Sequence, residues 1–305
     1  MTASDLPRGP SPIGWLGQQP YLLLSLTSLF WAGNIVVGRH LAGVVPPFTL
    51  SFIRWAGATL IILPLAWPHL TADWPAIRRQ IGLMLFLSVS GVGIYNTLAY
   101  YGLQYTQALN ALLLQSAGPL FVALWSLVLL GVRLSWLQAF GIAVSLVGVL
   151  TILTRGHLET LAGIQFNRGD LFFTAALAIF GVYSALSVKR PPIHNLSFLG
   201  FTMGFGALSL IPLVIWDAFY SPPVEVSTSS LLSLAYVVIF PSTLGYLCFN
   251  RGIQLIGANR AAPFFHLIPV FGAVMAIAFL GERPELFHLV GFALVLAGVF
   301  IAARK

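Results

Sequence analysis

Charge is scarce in this chain: Lys, Arg, Asp and Glu together make up 8% of its 305 residues. Soluble globular domains carry about a quarter of their residues as charges, so a water-soluble fold is excluded. Only eight residues are acidic, and all map to tails, loops or first helical turns, none to the middle of a long apolar run. A carboxylate at membrane depth, the usual device for proton coupling, is therefore missing. Cys248 is the single cysteine and sits inside an apolar stretch, so neither an intrachain disulfide nor a cysteine metal cluster can form. H-E-x-x-H, D-D-x-x-D and G-x-x-x-x-G-K-[ST] are absent, which leaves no motif for a metalloprotease, a prenyltransferase or a P-loop ATPase. No cofactor or metal is expected, and the remaining material for a catalytic dyad would be Ser116 with His266.

Apolar residues, by contrast, make up 58% of the chain, with a mean hydropathy of +0.91. A hydrocarbon core of roughly 30 Å is crossed by about 20 residues of helix, and runs of that kind begin and end at about 20 to 38, 47 to 67, 80 to 102, 107 to 130, 134 to 153, 169 to 188, 194 to 216, 230 to 252, 258 to 280 and 285 to 303. Each run is continuously apolar instead of alternating, which predicts helices and not barrel strands. The expected fold is an all-α membrane protein of ten transmembrane helices. The first run follows a polar, proline-rich lead and has no A-x-A pattern, so it reads as an uncleaved span.

The formal charge of +7 reads as a topology signal and not as a nucleic-acid footprint, because the basic residues punctuate the apolar runs. With both tails on one face of a ten-span chain, Arg8, Arg78, Arg79, Arg133, Lys189, Arg190, Arg251, Arg260, Arg304 and Lys305 share that face. Arg39, Arg155, Arg168 and Arg283 lie on the other, and Arg54 falls inside the second run. That excess places both termini in the cytoplasm.

Adding 150 to residue numbers overlays one stretch of the chain on another. Ala108 meets Ala258, Pro119 meets Pro269, Gly131 and Arg133 meet Gly281 and Arg283, and Gly141 and Gly148 meet Gly291 and Gly298. The chain thus reads as an N-terminal tail (1–19), a first five-helix repeat (20–153), a linking loop (154–168) and a second five-helix repeat (169–305). Five is odd, so the second copy must cross in the opposite direction. Inverted repeats place a binding site near the midplane between the halves and let access alternate when one half rocks against the other.

The segments F-W-A-G-N-x-V-V from Phe30, P-P-F-T-L-S-F-I-R-W ending at Trp55, Q-S-A-G-P-L-F from Gln115 and F-L-G-E-R-P from Phe279 resemble the EamA-type drug/metabolite transporter superfamily. Among its branches the YddG-type (aromatic) amino-acid exporters are most similar. The resemblance spans all ten runs and implies a bacterial inner-membrane exporter or facilitator of small metabolites. It also implies that spans one, three, four, six, eight and nine surround a central cavity.

Polar groups at membrane depth are costly unless they face water or another helix, so they are the candidates for a substrate path. Asn96 and Tyr100 lie one helical turn apart, and the 150-residue shift carries them onto Tyr246 and Asn250. An amide and a phenol in each half can bind a zwitterion or glue helices together. Pro119 and Pro269 predict kinks that free backbone carbonyls at Gln115 and Phe265. Beside them Gln115, Ser116 and His266 are candidates for the cavity wall, His266 also for a packed neutral imidazole. Trp31 and Asn34, with Tyr183 and Ser184 in the sixth run, form a further aromatic and polar set, and Tyr101 is a candidate for the interfacial belt. Arg54 matches the superfamily's span-two arginine and is expected to pair with helix-end carbonyls and gate the path.

The function expected is transport of small amphipathic metabolites, amino acids above all, as a facilitator or coupled through His266. A multidrug or cation exporter of the same fold, a membrane-embedded enzyme and a channel are the alternatives. The partners expected are the small-molecule substrate and the lipid bilayer, with no nucleic acid, and monomer and homodimer are both open.

Overall fold

The computed structural model describes residues 15–131, 135–156, 167–257 and 261–303. Arg8, Arg133, Glu159, Arg260, Arg304, Lys305 and most of the expected linking loop lie outside those residues. Among the described residues the chain is helical and contains no strand. Helices α1 (Pro20–His40), α2 (Pro47–Arg79), α3 (Ile81–Leu103), α6 (Arg168–Ser187), α7 (Asn195–Tyr220) and α8 (Thr228–Ile256) are each long and apolar enough to cross a membrane. Helix α4 does so as a broken pair, Ala108–Gln115 and Gly118–Leu130, bent by 43°. Three shorter apolar helices complete the set: α5 (Trp136–Leu153), α9 (Leu267–Leu280, entered through a 3₁₀ turn at Ala262–His266) and α10 (Leu286–Ala303).

The outside of the molecule is apolar, as a hydrocarbon environment demands. Trp136, Phe219, Phe279 and Leu60 are all more than 70% exposed. An apolar surface of this extent is untenable in water. The interior is equally apolar but close-packed, with Leu24, Trp55, Tyr100, Phe173 and Leu112 among the fully buried side chains. Tyr100, Phe173 and Leu112 belong to one buried cluster spanning α1 to α6 and α8 to α10, and Trp55 to a second, between α2, α3 and α7.

The second expected run, 47 to 67, is too short: α2 continues to Arg79 as a 33-residue helix through Pro64, Pro68 and Pro75. All three prolines are exposed and spaced four and seven apart. The hydrogen bonds they remove therefore lie on the outer face, where a helix bends without disturbing the packed side. Two acids differ from expectation: Asp73 lies within α2 and Asp217 within the last turn of α7, while Asp170 is in the first turn of α6 as expected, and completely buried.

Two features recur at the 150-residue interval. Helix α3 widens into a π-helical turn at Ser88–Ile94, and α8 does so at Val238–Leu244. Helices α4 and α9 both end on a left-handed glycine, Gly131 (φ 66°) and Gly281 (φ 66°). A residue with a side chain would be strained there, which explains glycine at both positions.

Helices α5 and α10 cross through the glycines singled out in the sequence. A Cβ on Gly148 would come within 2.7 Å of the Gly291 carbonyl oxygen, and a Cβ on Gly298 would collide with the Gly141 carbonyl. The close approach lies within the chain and lets the two helices pack as scaffold.

Candidate functional site

The centre of the molecule is organised around Arg54, which is 3% exposed. Its Nε donates to Ser242 Oγ (2.6 Å), and its Nη1 donates to Asn96 Oδ1 (2.8 Å) and Tyr100 OH (3.0 Å). Tyr100 OH in turn donates to Asn34 Oδ1 at 2.6 Å. The guanidinium lies over the Trp55 ring, 4.4 Å from its centroid, a cation–π contact strengthened by exclusion of water. Helices α1, α2, α3 and α8 thus converge on one cation. The expected carbonyl pairing is replaced by bonds to side chains, because α2 buries Arg54 against α3 and the π turn of α8 instead of presenting it to a helix end.

The π turns supply the supporting contacts. Asn96 Nδ2 donates to the Gly91 carbonyl (3.3 Å), and the Trp31 indole donates to the Pro241 carbonyl (3.0 Å). Ser242 Oγ donates to the Val237 carbonyl five residues back, at 2.7 Å, which fixes the hydroxyl whose oxygen receives Arg54. π-helical turns widen the backbone and expose carbonyls in this way, often at functional sites. Around Trp31 the rings of Tyr246, Phe249 and Phe265 lie with centroids 5.3 to 5.6 Å away, and Tyr246 also meets Trp55 edge-on. Tyr95, Phe180 and Tyr183 form a second aromatic row. Gly91 makes room for it, since a Cβ there would strike the Tyr183 ring. Tyr95, Tyr183 and Tyr246 are each half-buried.

Of the residues singled out in the sequence, the structure brings together Trp31, Asn34, Arg54, Asn96, Tyr100 and Tyr246. Tyr183 stands in the adjoining row, and Gln115 reaches it through a 3.4 Å hydrogen bond from Tyr95. Ser116, within the break in α4, turns back onto the Leu112 carbonyl (3.4 Å). Pro119 is exposed beside α5 and α10, and Pro269 is buried in the first turns of α9. Asn250, half-buried, shares no hydrogen bond with the network. The His266 ring stacks on Phe300 of α10, so Phe265 and not His266 faces Trp31. Tyr101 packs against Phe48, Tyr105 and Phe172 at the end of α3.

A family profile described as EamA-like transporter family matches this chain twice, over residues 18–154 and 167–304. The chain belongs to the EamA-like transporter family. It is similar to an uncharacterized transporter, YyaM, of Bacillus subtilis (29% identical; 93% of each chain covered). It is also similar to an uncharacterized transporter of Archaeoglobus fulgidus (27%; 95% of this chain and 99% of the relative). A third relative, from Streptantibioticus cattleyicolor, is described as a probable terminal-alkyne amino-acid exporter (27%; 92% of each chain). One solved crystal structure shares the fold, with a TM-score of 0.56 at 18% identity over 92% of this chain and 95% of that one. This EamA-like protein is accordingly a multi-pass membrane transporter and not an enzyme.

Sequence reasoning missed several residues of this transporter's centre. Ser242 went unremarked, because serine is not unusual in an apolar run, and Trp55 was named only as the end of a family-like segment. Tyr95 and Phe249 read as ordinary apolar content, and Phe265 was named for its carbonyl and not for its ring. Pro241, in the middle of the eighth run, was the one usable signal for a π turn, since proline interrupts the regular hydrogen-bond ladder; Ser88–Ile94 contains no proline and no such signal.

Proposed function

We propose that this transporter crosses the bacterial inner membrane ten times, as two inverted five-helix halves (20–153 and 169–305) joined by the 154–168 loop, with both termini in the cytoplasm. It moves small amphipathic metabolites, amino acids foremost, by alternating access to a central cavity. The observation that carries this reading is the recurrence, at one fixed 150-residue interval, of a π turn and a left-handed glycine cap in matching helices. Repeats of this kind position a substrate site between them.

Six full-length spans, the bent α4 and three shorter apolar helices are consistent with ten crossings. The connections also sort into two sets, as ten crossings require. Gln104 accepts from the Gly43 amide, Glu225 donates its amide to the Val44 carbonyl, and Glu282 accepts from the amides of Ala108 and Leu109. Separately, Arg251 bonds the Gly17 carbonyl, and His194 bonds Asp73. The half-buried state of Tyr95, Tyr183 and Tyr246, in the aromatic rows beside the Arg54 network, supports a path for substrate there. The amino-acid assignment draws on the polar and aromatic character of that centre and on the description of the S. cattleyicolor relative.

Uptake of a panel of radiolabelled amino acids into liposomes containing the purified protein tests the function. Saturable uptake of one or a few of them is expected. Flux that never saturates, or conductance in single-channel steps, would identify a pore instead. Labelling of cysteines introduced at residues 2 and 305 tests the topology, and reaction from opposite sides of the membrane would overturn it.

A further inference from the structure

Arg54 is a buried cation with no acid among its contacts in the described residues. Its three hydrogen-bond partners, Ser242, Asn96 and Tyr100, are all neutral. The acids whose bonds are seen are committed elsewhere: Asp73 to Ser197 and His194, Asp170 to Thr106 and Asn110, Asp217 to Thr49 and Ser221, Glu282 to the start of α4. A buried charge without a counter-ion is unfavourable, and buried polar groups are normally paired. Nη2 of Arg54 makes no hydrogen bond, yet it is not among the enclosed, partnerless atoms of the structure, so it borders open space.

The neighbouring residues repeat the imbalance. Trp55 Nε1, on the indole beneath the guanidinium, is a fully enclosed donor with no acceptor, and Ser51 Oγ, one turn earlier on α2, is enclosed and unpaired. The three groups lie on one stretch of α2, within residues 51–55. Two of them can only donate, and the third donates as readily as it accepts.

We propose that the space beside Arg54 Nη2 receives a carboxylate, and hence that the transported molecule carries one. The site rests on the transport reading only in taking its ligand to be the cargo. Bonds from Nε and Nη1 to Ser242, Asn96 and Tyr100 hold the guanidinium plane in place, so its free edge is presented to the anion already oriented. A planar guanidinium suits a carboxylate better than an ammonium group does. A simple organic cation is repelled from the same place. The apolar remainder of the cargo would lie against Trp31, Tyr246 and Phe265.

The test measures the rise in melting temperature of the purified protein with four probes: L-phenylalanine, 3-phenylpropionate, L-phenylalaninamide and 2-phenylethylamine. The two carboxylates are expected to stabilise the protein in a saturable way, and the amide and amine to have no such effect. Arg54→Lys keeps the charge but loses the planar fork, and should weaken carboxylate binding about tenfold or more. Amide or amine binding as tight as the acids, or no stabilisation by either acid, overturns the proposal in the wild-type protein without recourse to any variant. If 3-phenylpropionate binds but no amino acid is taken up, the carboxylate site stands and the amino-acid reading falls. If amino acids are taken up and their amides compete equally, the reverse holds.

Discussion

Arg54 Nε donates to Ser242 Oγ at 2.6 Å, joining α2 to the π turn of α8 across 188 residues of sequence. The contact ties the charge of one proposed half to the irregular backbone of the other. A rearrangement between the halves must break or carry it.

Ser242→Ala removes the acceptor and leaves a buried, charged N–H unpaired, which costs about 1–3 kcal/mol. A lower melting temperature of the purified protein is expected. An unchanged melting temperature would mean that water or another group takes up Nε, contrary to the enclosed geometry described above.

Gly91→Ala forces the Tyr183 ring away from α3, because no Cβ fits beside it. Uptake should fall while the protein still folds and purifies. Gly82→Ala, on the same helix with nothing within 4 Å of the new methyl group, is the control. It should leave transport unchanged and stabilise the helix by about 0.5–1 kcal/mol.

Glu282 accepts from the amides of Ala108 and Leu109 at 2.8 Å each, capping the start of α4 from the far end of α9. Charge-assisted bonds at a helix N-terminus are among the stronger polar contacts. Glu282→Ala should destabilise the protein by about 1–2 kcal/mol, whereas substitution of the exposed Glu285 side chain should have little effect. Thermal denaturation of the two variants side by side distinguishes them.

Gly298→Val drives two branched methyl groups into the Gly141 carbonyl and the Ser145 backbone. Overpacking of this sort costs about 1–3 kcal/mol. Reduced yield and thermal stability are expected, with no change in substrate preference among the molecules that do fold, since α5 and α10 lie outside the Arg54 network. A change in preference would show that these helices contribute to the site.

That α5 and α10 pack closely somewhere was legible in glycines seven residues apart on each; that they pack against each other within the chain was decided by the tertiary structure. The π turns were not legible. A π turn adds one residue to a helical loop without altering the apolar content of the run, so Ser88–Ile94 reads like any other stretch of span. The choice between Phe265 and His266 was also hidden. It depends on rotation through the 3₁₀ turn Ala262–His266, where each residue advances by about a third of a turn, more than in an α-helix. That difference carries Phe265 onto Trp31 and His266 onto Phe300.

Composition and periodicity by themselves determined that this chain belongs in a bilayer, that it is helical, and that one stretch of it repeats another. Those properties follow from apolar area and from glycine and proline spacing, which are local and additive along the chain. Only the tertiary structure decided which polar groups meet. Arg54, Asn96, Tyr100, Asn34 and Ser242 come from four helices, and their contacts depend on helix rotation and backbone widening that no local pattern encodes. A buried charge selects its neighbours in three dimensions, because the cost of leaving it unpaired is met only by the groups that packing brings within reach.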